Sequence, residues 1–171
     1  MEAIWVTLIT SGLATIFAIL IGLPLAALCA RNDFVCKKML HVTLRAMYGL
    51  PPVVVGVVVY LALSKDGVLG DWGFLFTIQG MIIAQALLIL PLVWGISWTG
   101  MEEIPNEVME IYRLSDVKIS YVWLMVFEAK NQIGAAIMLA FGRAIAEVGA
   151  VMIVGGNIKG FTRTLTTSIV L

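Results

Sequence analysis

Residues 3–30 read AIWVTLITSGLATIFAILIGLPLAALCA, 28 consecutive positions without a charged side chain. A helix crosses the hydrocarbon core of a bilayer with about 20 apolar residues, each rising about 1.5 Å. This run is therefore long enough to span and too apolar to coat a soluble domain, and it decides the fold. A second uncharged run of 30 residues, 72–101, lies between Asp71 and Glu102. Residues 46–64 give 19 more uncharged positions, interrupted by Pro51 and Pro52, and 131–155 is apolar except for Arg143 and Glu147. The expected fold is an all-α integral membrane helical bundle with about four transmembrane helices, crossing at about 4–30, 39–64, 73–101 and 131–155. Proline removes a backbone donor and restricts the residue before it, so Gly49, Pro51 and Pro52 are read as a candidate hinge within one crossing. A bilayer tolerates such a break only where protein or a wet cavity satisfies the freed groups. The plain alternative to a gate element is a simple kink.

Composition agrees. Of 171 residues, 61% are hydrophobic and only 13% charged, about half the charged share of a soluble domain. Eleven basic residues balance eleven acidic ones, so nothing points to nucleic acid as a partner. The first run ends in a sequence like a signal-peptide cleavage site, but it has no basic amino end and its apolar core is too long; an uncleaved membrane helix is expected. Residues 31–45 carry Arg31, Lys37, Lys38 and Arg45 against Asp33 alone, which marks the cytoplasmic side. Residues 64–73 then lie outside, 102–130 inside, and the amino terminus and 156–171 outside. Cys29 and Cys36, with His41 nearby, fall short of the four ligands a structural metal site needs. There is no phosphate-cradling Gly-x4-Gly-Lys-Ser/Thr run and no nucleophile–His–acid set, so neither catalysis nor a bound cofactor is expected.

The 29-residue connection 102–130 is longer than any other in the chain and unlike an unstructured loop. Pro105 suits a first helical turn. Ile104, Val108, Ile111 and Tyr112 then recur at helical spacing, beside an acidic stripe of Glu103, Glu107 and Glu110. Ser115 and Asp116 suit a stop and a new cap, and Val117 to Phe127 is apolar and aromatic. The result is a cytoplasmic helix-turn-helix. It is either a hairpin resting on lipid headgroups or an elbow that enters a groove of a cytosolic partner.

Three stretches carry a resemblance: RAMYGLPPVVVG (45–56), FGRAIAEVGAVMIVGGNI (141–158) and FTRTLTTSI (161–169). With the helix-turn-helix before the last span, they resemble the permease subunits of type I ATP-binding-cassette (ABC) importers, and within these the tungstate and molybdate permease group, tungstate permeases most. The resemblance covers nearly the whole chain as a single transmembrane permease domain. It implies import of tungstate or a related oxyanion such as molybdate across a prokaryotic cell membrane. It also implies ATP hydrolysis on a separate cytoplasmic ATPase subunit, delivery by an extracytoplasmic oxyanion-binding protein, and pairing with a second permease copy. On this likeness the ATPase-coupling loop comprises Glu107, Val108, Met109, Glu110, Ile111, Leu114, Ser115 and Asp116. The coupling motif departs from the family pattern in having no glycine between Met101 and Gly134. Family members also begin earlier and continue beyond the outer loop 156–171. A fragment, or a shortened paralogue acting as a non-transporting scaffold, is the alternative reading.

Arg143 and Glu147 stand four positions apart, so on one helix they share a face. A charge near mid-bilayer costs about 2.5–3.5 kcal/mol on insertion scales, so both are expected away from lipid. Either the pair neutralises itself within the bundle, or Arg143 shapes the route of a dianion while Glu147 limits how tightly it binds. Gly142, Ala146 and Gly149 permit close helix approach, within the chain or at the seam between two permeases around the pathway. Lys159, Arg163 and the hydroxyls of 162–168 gather outside, to hold an oxyanion or to meet the binding protein. A secondary transporter or channel is the remaining rival, but the inverted repeats that would favour it are not visible.

Overall fold

The computed structural model describes residues 2–114 and 120–169. Among the described residues all regular structure is helical: α1 (Glu2–Arg31), α2 (Lys37–Met47), α3 (Pro52–Leu63), α4 (Ile78–Glu102), α5 (Asn106–Leu114), α6 (Tyr121–Glu128), α7 (Lys130–Ile145), α8 (Gly149–Gly155) and α9 (Leu165–Ile169), with a short 3-10 turn at Gly70–Trp72 between α3 and α4. Helices α1 and α4 are each long and apolar enough to cross a membrane, and the count rises to four if each of two bent pairs forms one span.

Helix α1 is amphipathic by size rather than by polarity. Thr7, Ser11, Ala14, Ala18, Gly22 and Ala26 are buried, whereas Trp5, Leu8, Ile16, Phe17, Leu20 and Leu28 are exposed. In lipid no hydrophobic force separates large from small residues, and small ones gather where backbones pack closely. They do so here along α4, the partner that α1 follows for most of its length. The buried threonine hydroxyls donate within the helix: Thr7 donates to the Ala3 carbonyl and Thr10 to that of Val6, each at 2.8 Å, and Thr15 to that of Ser11 at 2.7 Å. This removes the penalty of unpaired polar groups.

Helix α4 is the axis of the bundle and touches α1, α2, α3, α7 and α8. Its N-cap Thr77 accepts the Gly80 N–H at 3.3 Å. The core lies around it in three clusters. Ala14, Ala18, Ile89, Val93 and Ala140 join α1, α4 and α7. Val59, Leu63, Ala84, Ala150 and Val154 join α3, α4 and α8. Ala27, Leu44, Trp98, Met101, Met125 and Ile133 close the end where α1 and α4 terminate at Arg31 and Glu102.

Both charge-poor stretches outside α1 and α4 are broken. The stretch 39–64, expected as one crossing, consists of α2 and α3 meeting at 102°. In an unbroken helix the Tyr48 carbonyl would accept from residue 52 and that of Met47 from residue 51, but both are proline and have no N–H. The last turn of α2 tightens instead, Gly49 and Leu50 donating to the Ala46 and Met47 carbonyls at 3.2 Å, and α3 restarts with Pro52 in its first turn. The stretch 131–155 is also discontinuous. Helix α7 stops at Ile145, α8 starts at Gly149, and α6 meets α7 at 78° across Ala129 alone.

Candidate functional site

The two breaks face one another, and Arg143 joins them. Its Nη1 donates to the Tyr48 carbonyl at 2.8 Å and its Nη2 to the Leu50 carbonyl at 3.0 Å. The first of these acceptors is orphaned by Pro52. The second would be served by Val54 in a helix, but Val54 donates to Pro51 at 3.0 Å. A guanidinium near the carboxyl end of α2 is also favoured by that helix's dipole. The freed backbone groups are thus satisfied by neighbouring protein, as an apolar medium requires.

Glu147 takes another direction. Because α7 ends at Ile145, Glu147 lies in the connection to α8 rather than one turn beyond Arg143 on a shared face. It is 5% exposed, and its Oε1 accepts the Ala150 N–H at 2.9 Å. No ion pair joins it to Arg143 among the described residues. The self-neutralising pair expected from the four-residue spacing is therefore corrected: each side chain caps a different helix end. Two further contacts hold this second break. Gln85, 1% exposed in the middle of α4, donates to the Ala144 carbonyl at 2.9 Å, and the Thr166 hydroxyl donates to the Glu147 carbonyl at 2.9 Å. Gln85 was missed in the sequence, although a glutamine well inside an otherwise apolar run was the available signal.

The small residues divide between two surroundings. A Cβ on Gly56 would lie 2.7 Å from the Ala150 Cα, and one on Gly149 would lie 2.8 Å from Val53 Cγ2. Gly149 and Ala150 therefore serve the packing of α8 on α3. Gly142 and Ala146 point away from the bundle: both are exposed, and a Cβ on Gly142 would meet nothing within 4 Å. Of the candidate hinge, Gly49 is exposed at the tip of the turn, while Pro51 and Pro52 set its corner.

The hydroxyls of 162–168 are engaged internally. Thr162, Thr164 and Thr167 are buried; Thr162 accepts the Ile158 N–H at 2.9 Å, and Thr164 and Thr167 bond one another at 3.1 Å. Arg163 Nε donates to Asn157 Oδ1 at 3.2 Å, and Thr7 accepts the Leu165 N–H at 2.9 Å. This is a folded loop clasped to the start of α1. Lys159 and Arg163 line a cleft of about 470 Å³ beside Glu2.

At the opposite end, charges tie four elements together. Lys37 Nζ lies 2.9 Å from Glu102 and 3.3 Å from Asp33. His41 Nε2 is 3.1 Å from Thr99 Oγ1, with its ring 4.6 Å from that of Trp98. The Arg31 guanidinium sits 5.3 Å above the Tyr121 ring. From this frame α5 projects. Glu107 and Glu110 are exposed, Val108 is half-buried, and the apolar Ile111 and Leu114 are 68% and 88% exposed. Of the remaining candidates, Ser115, Asp116 and the side chain of Met109 lie outside the described residues.

No family model matches the chain. Curated relatives do. The tungstate uptake system permease protein TupB of Peptoclostridium acidaminophilum is 38% identical over 98% of this chain and 74% of its own length. A probable anion ABC transporter permease protein of Haloferax volcanii is 38% identical over 96% and 73%. The TupB protein of Campylobacter jejuni is 36% identical over 99% and 72%. The similarity extends over nearly the whole chain, and so takes in the α2–α3 turn, the Arg143 segment and α5 together. On these relatives and its long apolar helices, the chain belongs to the ABC transporter permease family that includes the tungstate uptake permeases, and it is a multi-pass helical protein of the cell membrane.

Proposed function

We propose that the chain is the permease subunit of an ATP-driven importer of tungstate or a related oxyanion such as molybdate. The observation that carries this reading is α5, a short helix held off the bundle with Ile111 and Leu114 turned to solvent. An apolar face left uncovered at the end of a membrane bundle suits insertion into a groove of a partner. The permease names of the relatives support the same reading, and the tungstate in two of those names supports the substrate.

In this mechanism residues 102–130 are cytoplasmic and two ATPase subunits grip α5 on two permease copies. Gly142 and Ala146 lie at the seam between the copies, where an open face of small residues permits close approach. An extracytoplasmic binding protein meets the clasped loop of 156–169 and releases the anion there. Closure of the ATPase pair moves α5 and α6, and α6 passes the motion to α7 through Ala129. The anion follows the seam past the positive potential of Arg143. That guanidinium keeps its own bonds to Tyr48 and Leu50, so the anion is attracted without being trapped, as passage requires.

The test is Ile111→Arg in the assembly reconstituted with its ATPase and binding protein. Because Ile111 is exposed, the permease folds normally, and the expected outcome is ATP hydrolysis that no longer responds to loaded binding protein together with loss of uptake. Unchanged coupling contradicts the reading.

A further inference from the structure

Arg143 is more than a half-buried cation with its charge accommodated. Its planar fork spans two carbonyls of a single turn, Tyr48 and Leu50, that are 95 and 93 positions away in sequence. Pro52 leaves the Tyr48 carbonyl without a helical donor, and the Val54 N–H is already taken by Pro51. The nearest carboxylate along the chain, Glu147, is committed to the Ala150 N–H. Just beyond the turn, in the first half of α3, Val53 abuts Gly149 and Gly56 abuts Ala150. The α2–α3 turn is therefore gripped by the end of α7 through hydrogen bonds, and the α3 helix that leaves it is held by the start of α8 through van der Waals contact.

We propose that Arg143 is a positioning residue that tethers the α2–α3 turn to the end of α7, so that the two intramembrane breaks move as one unit. Helix α7 is joined to α6 by Ala129 alone. A displacement entering at the α5–α6 end therefore reaches Arg143 along one rigid helix, about 24 Å at 16 residues. A guanidinium holds two acceptors in fixed relative orientation, whereas an ammonium is a point charge that satisfies them without orienting them. The turn follows α7 in translation and rotation, and α3, which begins at Pro52, follows the turn. The consequence for transport rests on the importer reading above, while the tether itself does not.

The experiment uses the full assembly in lipid nanodiscs, with Cys29 and Cys36 replaced and nitroxide labels on cysteines at Gly49→Cys in the turn and Gly134→Cys on α7, away from the proposed seam residues. Within the chain both sites have room: a Cβ on Gly49 comes no closer than 3.6 Å to its nearest neighbour, and one on Gly134 meets nothing within 4 Å. Spin–spin distances are measured with and without a non-hydrolysable ATP analogue, alongside tungstate uptake per ATP hydrolysed. The unsubstituted protein gives a narrow distribution that the nucleotide leaves unchanged. Arg143→Gln broadens it and lowers uptake per ATP by about tenfold or more, the scale of losing charge-assisted hydrogen bonds. Arg143→Lys recovers part of both. A distribution as narrow in Arg143→Gln as in the parent overturns the tether, and a broadened distribution with undiminished uptake per ATP overturns its role in transmission. Should Arg143→Gln fail to assemble, Arg143→Lys decides: behaviour identical to the parent contradicts the fork. If the parent hydrolyses ATP without uptake, the importer reading fails, and the spin distances alone uphold or overturn the tether.

Discussion

Arg143 and Glu147 are the two charges of the last apolar stretch, and they part company because a helix ends between them. Spacing of four implies a shared face only while the helix continues. No proline announces the end of α7 at Ile145; the restart at Gly149 is held instead by contacts from distant chain, Gln85 to Ala144 and Thr166 to Glu147. The positions of both charges were legible in the sequence, and their partners were not, because every partner except Ala150 is brought in by tertiary packing. The separation has a measurable consequence. In Glu147→Gln the amide oxygen still accepts the Ala150 N–H, so thermal unfolding in detergent is expected to change little. Glu147→Ala removes the acceptor and leaves a buried donor unpaired, at a cost of about 1–3 kcal/mol. If instead the carboxylate neutralised Arg143, the two substitutions would be about equally damaging.

At the scale of elements, length without charge identifies α1 and α4, and the Pro51–Pro52 pair identifies the break that follows α2. The angle of that break is not written locally. Proline explains why α2 stops, but the 102° turn depends on where α3 finds a surface, and Gly56 against Ala150 supplies it. The orientation of α1 is likewise a packing result: one charge-free run holds a small-residue face and a large-residue face, and only the neighbour α4 decides which is inside. Ala14, fully buried between α1 and α4, is therefore expected to reject a larger side chain. Ala14→Leu should destabilise by about 1–3 kcal/mol through overpacking, whereas Leu13→Ile on the exposed face should stay within about 0.5 kcal/mol. Denaturation of the two variants in the same detergent compares them directly. Equal effects would mean that α1 presents a different face to the bundle.

Over the whole molecule, the described residues form one bundle with unlike ends. One end closes with a clasped, hydroxyl-rich loop over the start of α1. The other gathers Arg31, Lys37, Glu102 and Tyr121 around the base of a projecting amphipathic helix. Between them, the α2–α3 turn and the end of α7 are pinned together by Arg143. That asymmetry suits the proposed device, driven from one side and loaded from the other; on this proposal the driven side is the cytoplasm, as expected from the excess of basic residues in 31–45. Everything in the mechanism depends on that assignment for α5. The most direct measurement places a cysteine at Leu114, which is 88% exposed, in a variant lacking Cys29 and Cys36, and treats intact cells with a membrane-impermeant maleimide. The account predicts no reaction in intact cells, full reaction once the membrane is opened, and protection when the ATPase is bound. Reaction in intact cells would put α5 outside and contradict the account.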